Sequence, residues 1–124
     1  MRIFKIRGFS KWAAQEGVVD NVLRQVVAEM ERGLVGTNLG GQVFKKRVAL
    51  SGRGKRSGVR TLLAYRIGSK AFFIYGFAKN VKDNVSPREL KALKANSELY
   101  LNFNDGQLNQ AVKAGVLIEV TSDE

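Results

Sequence analysis

Apolar and polar positions along this chain change period several times, and each change marks an element. Val19, Val22, Leu23, Val26, Val27 and Met30 recur every three or four residues, the stripe of a helix with one buried face. Gly33 stands where a left-handed cap would end that helix. Ahead of it, residues 2–6 read as a short strand and residues 10–15 as a helical stretch broken near Gly17. From Val43 the period falls to two. Phe44, Val48 and Leu50 take one side; Lys45, Arg47 and Ala49 take the other. Lys46 shares the apolar side, where its stem can pack while its amine escapes at an edge. Residues 59–67 and 71–77 read as the next two strands. Asn38-Leu39-Gly40-Gly41 and Gly68-Ser69 read as turns, and residues 51–58 (SGRGKRSG) as a glycine-rich basic loop. The run AFFIYGF is apolar on both faces, as a central strand covered on each side would be. Short connections make these strands an antiparallel meander.

Ser86-Pro87-Arg88-Glu89 then opens a helix: a serine at the N-cap, a proline at the first helical position and a glutamate completing a capping box. Leu90, Leu93, Tyr100 and Leu101 supply its apolar stripe. Asn104 caps a second short helix running through Leu108 and Val112 to Gly115, and residues 116–120 read as a last strand.

Charge changes the picture most. From Arg32 to Lys82 the chain carries twelve lysines and arginines and not one carboxylate, although its net charge is only +10. The rest holds nine basic and eleven acidic groups, so the basic excess is concentrated in the meander. A field of one sign over adjacent strands attracts a polyanion, nucleic acid first. The 124 residues suit a single domain over 1–124, without an internal repeat or linker. There is no apolar run long enough to span a membrane, and the opening MRIFKIRGFSKW lacks the continuous apolar stretch of a secretory signal, so a cytoplasmic protein is expected. The chain has no cysteine and no histidine. Disulfides, thiolate or imidazole metal sites and Ser-His triads are thereby excluded. The carboxylates show no metal constellation, and neither a metal nor another cofactor is expected.

Alternation brings Lys45 and Arg47 side by side, about 7 Å apart, and Arg60 lies on the neighbouring strand. Tyr75 belongs to the third strand and Lys79 follows it. This set suits a phosphodiester: guanidinium forks grip non-bridging oxygens and stabilise the added charge of a pentavalent transition state, while an amine or phenol assists proton transfer. Lys46, Arg53, Lys55 and Arg56 are candidate RNA contacts around it. The plain alternatives are a positive face that binds nucleic acid without cutting it, a Tyr75 that belongs to the core, and a Lys79 that is only a solvated strand end. Tyr65 reads as structural. The loop lacks the GxxxxGK[ST] spacing of a phosphate loop, and a strand rather than a helix follows it.

LGGQVFKKRVALSGRGKRSGVRTLLAYR followed by AFFIYGFAKN resembles the HigB-like branch of the RelE/ParE toxin superfamily. The likeness rests on K-x-R-V-A, on the G-x-G-K-x-x-G-x-R loop-to-strand element and on the F-x-Y-G-F-x-K-N strand end. It spans Phe4 to about Leu93, including A-E-M-E-R-G at residues 28–33. The resemblance implies a small α+β, RelE-like domain, with N-terminal helices packed on a twisted antiparallel sheet and C-terminal helices after it. It leaves the segment from about residue 103 to 124 as an addition of unknown role. It further implies a toxin of a type II toxin–antitoxin system that cuts mRNA on the ribosome, the RNA's 2′-hydroxyl attacking the adjacent phosphate. Its basic active-site residues map onto Lys45, Arg47, Arg60 and Lys79. A tyrosine that some members carry near the C-terminus has no secure counterpart; Tyr100 lies in the region with the wrong spacing. The implied partners are the ribosome, mRNA and a cognate antitoxin with a helix-turn-helix domain. Two other readings stay open: a ParE-like poison of DNA gyrase, and a non-catalytic nucleic-acid-binding module.

Overall fold

The computed structural model describes residues 1–50, 54–78 and 85–121, those at 54–57 by backbone alone. Its elements run β1 (Arg2–Ile6), α1 (Arg7–Glu16), α2 (Asp20–Glu31), β2 (Thr37–Gly40), β3 (Val43–Leu50), β4 (Gly54–Arg66), β5 (Lys70–Ala78), α3 (Pro87–Leu101), α4 (Asp105–Lys113) and β6 (Leu117–Glu119). The strands form one sheet in the order β2-β3-β4-β5-β1-β6. The class is α+β, as expected.

The helices form where their stripes and caps predict. In α2, Leu23, Val26, Val27 and Met30 are buried. Gly33, at φ 91°, closes the helix: its N–H donates to the Met30 carbonyl, and that of Leu34 donates to the Glu29 carbonyl. Both capping boxes are complete, Ser86 with Glu89 and Asn104 with Gln107. The first helix is longer than its sequence signals, because Arg7 follows directly from β1 with no side-chain cap at Ile6.

The sheet differs from the expected all-antiparallel one. The meander β2 to β5 is antiparallel, but β1 runs parallel to β5, with Arg2 opposite Lys70 and Lys5 opposite Phe73. A parallel pair needs a long crossover. Here α1 and α2 carry the chain across one face to the far edge, and the meander returns it beside β1. The turn expected at residues 38–41 is in part an edge strand, Thr37 and Asn38 pairing with Lys45 and Phe44. Residues 54–58 of the expected loop belong to β4, where Gly54 pairs with Leu50.

The two faces of the sheet bury separate cores. Under α1 and α2 lie Val48, Val59, Leu63, Tyr65 and Phe73, with Phe9 stacked on Phe73 at 5.4 Å. The Trp12 ring lies against Gly76, and a Cβ there would come 2.1 Å from Trp12 Cζ3. Under α3 and α4 lie Phe4, Val43, Leu62, Ala64, Phe72, Ile74 and Phe77, with Phe4 stacked on Phe72 at 5.2 Å. The C-terminal elements are part of this second core: Leu108 and Leu117 are fully buried, and β6 pairs with β1. Arg2 fastens them through both carboxylate oxygens of Glu119, through Asp105 and through Asn109. Arg66 donates to the Leu101 carbonyl at 2.7 Å and Lys70 to that of Phe103, holding the end of α3 on the sheet. Among the described residues no helix is long and apolar enough to cross a membrane.

Candidate active site

Strand register decides which of the candidate side chains share a face. Residues directly opposite one another across a sheet project to the same side. Lys45 stands opposite Leu62, and Leu62 opposite Tyr75. Arg47 stands opposite Arg60, and Arg60 opposite Phe77. Two residues along the strands in the other direction, Val43 faces Ala64 and Ala64 faces Phe72. These three rows lie on the face covered by α3, and neighbouring rows are about 7 Å apart. Their character grades from apolar under the C-terminal half of α3 to cationic beyond it. Lys45, Arg47, Arg60 and Tyr75 therefore come together on one face; alternation predicts this for Lys45 and Arg47, and the strand register adds the other two.

A bulge makes the third strand contribute to this face. The register slips between Leu62 and Leu63, so Ile74 has no opposite residue and packs in the same core as Tyr75 and Phe77. On the opposite face, Gly76 gives the Trp12 ring room to lie against the strand.

The four groups differ in access. Arg47 is exposed and Lys45 half-buried. Arg60 is only 8% exposed and forms the floor of the cluster. Tyr75 is half-buried, its ring tilted on Phe77 at 6.0 Å. Its hydroxyl donates to Glu89 Oε2 at 3.3 Å, while Glu89 Oε1 accepts the Ser86 N–H at 3.0 Å in the cap of α3. A carboxylate thus meets the cationic rows at the start of α3. The sequence shows Glu89 only as a capping residue, because its second oxygen acquires a partner only once α3 lies across the sheet.

Lys46 does not join the site. It faces the α1 and α2 layer, where its ammonium donates to Glu29 Oε1 and to the Leu34 carbonyl, both at 2.8 Å. The stem packs as the period predicts, but the amine is held at α2 rather than released at an edge. Tyr100 is stacked on Phe72 at 5.7 Å and meets Phe103 edge-on, five positions along β5 from Phe77. Tyr65 is buried on the α2 side against Phe44; burial first, and the Glu31 carboxylate second, push its phenol above the ordinary value. Lys79 and Arg53, and the side chains of Lys55 and Arg56, lie outside the described residues.

An apolar pocket of about 440 Å³ adjoins the cluster, lined by Ile6, Phe9, Trp12, Ile74, Tyr75 and Leu93 among others.

Comparison with known families matches residues 1–120 to a model described as the RelE toxin of the RelE / RelB toxin-antitoxin system. That match runs through α4 and β6. A search of curated proteins finds no match. With a family match over 120 of its 124 residues, the chain belongs to the RelE toxin family, which makes it the toxin of a toxin–antitoxin system with a cognate antitoxin as its partner.

Proposed function

We propose that this toxin is an endoribonuclease of the HigB-like kind that cuts mRNA in the ribosome. The observation that carries the reading is the row Arg47–Arg60–Phe77 beside Lys45–Leu62–Tyr75, which puts two guanidiniums, an ammonium and a phenol on one face. Arg47, exposed, grips a non-bridging oxygen of the scissile phosphate. Arg60, beneath it, keeps its charge when buried and acts through a medium that screens it less than water. The RNA supplies the nucleophile: its 2′-oxygen bonds to phosphorus as the bond to the 5′-oxygen breaks. The products are a 2′,3′-cyclic phosphate and a 5′-hydroxyl. Tyr75 is the group that takes the 2′-hydroxyl proton, and the Lys45 ammonium gives one to the departing oxygen. No step calls on a metal or another cofactor. Lys79 joins these catalytic groups by the family resemblance, and the basic loop with Arg53, Lys55 and Arg56 extends the contact along the RNA.

The cytoplasm, where ribosomes are, is the proposed site of action. The antitoxin is proposed to carry a helix-turn-helix domain and an acidic or amphipathic segment that covers the basic rows. Induction of the toxin alone should arrest growth and leave cleavages within ribosome-bound codons, read by primer extension. Arg60→Ala should lower cleavage by about 10²- to 10³-fold, the scale of removing one donor to transition-state charge. Arrest with intact mRNA and trapped gyrase–DNA complexes would instead mark a ParE-like toxin. Salt-sensitive RNA binding without arrest would mark a plain binding module.

A further inference from the structure

We infer that Glu89 is a positioning residue for Tyr75, taking up the phenolic proton as Tyr75 accepts the proton of the 2′-hydroxyl. The inference rests on the nuclease reading above and adds a carboxylate to it. In the capping box, one oxygen of Glu89 serves the helix: Oε1 accepts from the Ser86 N–H at 3.0 Å, and the Glu89 N–H donates to Ser86 Oγ at 3.1 Å. A cap requires no more than that. Oε2 accepts the Tyr75 hydroxyl at 3.3 Å. A phenol that donates to a carboxylate on one side presents its oxygen lone pairs on the other. Tyr75 shares its face with Lys45 and stands one row from Arg60, the rows over which a phosphodiester would sit. The proton then moves in two linked transfers. The 2′-hydroxyl gives its proton to the Tyr75 oxygen as the O2′–P bond forms, and Tyr75 gives its own to Glu89 Oε2. Without the carboxylate, a neutral phenol is a poor base. In a chain with no histidine, this pair performs the task an imidazole usually has.

Replacing Glu89 by glutamine separates the two roles. Glutamine at this position still completes a capping box, so α3 stays capped. Its amide, however, donates to Tyr75 where the carboxylate accepted, turning the phenol's hydrogen towards the RNA, and it cannot hold the proton. Single-turnover cleavage of ribosome-bound mRNA would be measured for the wild type, Glu89→Gln, Tyr75→Phe, the double variant, Ser86→Ala and Arg60→Ala. Glu89→Gln and Tyr75→Phe should each lower kcat by about 10²-fold, the lower end for a positioned base, with KM and melting temperature unchanged. The double variant should be no slower than the slower single one, since both changes remove the same relay. Ser86→Ala should melt earlier and keep its kcat.

Three results would overturn the inference. One is full cleavage by Glu89→Gln while Arg60→Ala is slow. Another is two losses that multiply in the double variant. The third is a loss in Ser86→Ala as large as in Glu89→Gln, which would reduce Glu89 to a helix anchor. A wild type that leaves ribosomal mRNA intact would instead sink the nuclease reading and this inference with it.

Discussion

Lys46 and Arg47 are neighbours in sequence, and their neutralisation should have opposite consequences. Lys46 faces α2, and its ammonium makes two hydrogen bonds of 2.8 Å, to Glu29 and to the Leu34 carbonyl. Methionine keeps the packed stem and deletes both bonds. A hydrogen bond involving a charged group contributes about 1.5–3 kcal/mol. Against this, the burial cost of the ammonium is recovered, and Glu29, with 44% of its side chain exposed, is rehydrated. The net loss should be about 1–2 kcal/mol. With an unfolding entropy of roughly 2.1 cal/mol/K per residue, that lowers the melting temperature by about 4–8 °C. Cleavage per folded molecule should be unchanged. Arg47→Met removes an exposed cation, so its effect on stability should stay within about 0.5 kcal/mol. Cleavage should fall by about 10²-fold or more, because the lost group meets the phosphate. Thermal melts and single-turnover cleavage on the same preparations test both halves. If Lys46→Met lost cleavage as Arg47→Met does, or if Arg47→Met melted several degrees early at full activity, the assignment of faces would be wrong.

Three other changes have definite outcomes. Gly76→Ala puts a methyl 2.1–2.5 Å from three ring carbons of Trp12; overpacking of this kind costs about 1–3 kcal/mol, and Trp12→Leu in the same chain should recover part of the lost melting temperature. Arg2→Met releases Glu119, Asp105 and Asn109 together; amide exchange should quicken at Leu117–Glu119 well before the central strands, and equal acceleration throughout would refute a local tether. Tyr65 has its phenol raised by burial and by Glu31, so the folded chain keeps a proton that the unfolded chain loses near pH 10. Its stabilising share is complete below that pH and drains away as pH rises through the folded value. Tyr65→Phe should therefore lose less stability than the wild type between about pH 9 and 11, measured by denaturant unfolding.

The sequence was most informative where period and chemistry coincide. Alternation along β3 separates Lys45 and Arg47 from Phe44 and Val48 without any knowledge of the partner strand. It also puts the Lys46 stem on the apolar side, but it says nothing of Glu29, seventeen residues earlier on another element. The cross-strand step was less legible. That Arg60 lies opposite Arg47 depends on the β3–β4 register, and the slip between Leu62 and Leu63 that brings Ile74 and Tyr75 onto one face is a bulge with no residue signature. Residues 2–6 read as a strand, yet five residues carry no record of which neighbour they join, so the parallel pairing with β5 was invisible. Thr37–Gly40 lacks alternation and runs into the pair Gly40-Gly41, which is why a polar edge strand looks like a turn. Glu89 was half legible: its cap is written in four consecutive residues, its contact with Tyr75 only in the docking of α3.

Arg47 directly opposite Arg60 is a choice made against the sheet, since like charges facing each other across two strands destabilise the pair. Between Arg32 and Lys82 the meander itself contains no carboxylate. A sequence shaped for stability alone would place threonine or valine at one of the two positions. The repulsion should be relieved by whatever negative group the row is built to hold, and so it should appear as linkage. An anion that binds the folded state raises the melting temperature in proportion to the logarithm of its concentration. A short RNA oligonucleotide at low ionic strength should therefore raise the melting temperature of the wild type by several degrees and that of Arg47→Thr by much less. Without RNA, Arg47→Thr should itself melt slightly above the wild type. The difference should shrink as salt is added, because the repulsion of an exposed charge is screened. If Arg47→Thr melted lower than the wild type at low salt, and RNA stabilised both proteins alike, the opposed arginines would be an ordinary part of the fold rather than an anion site.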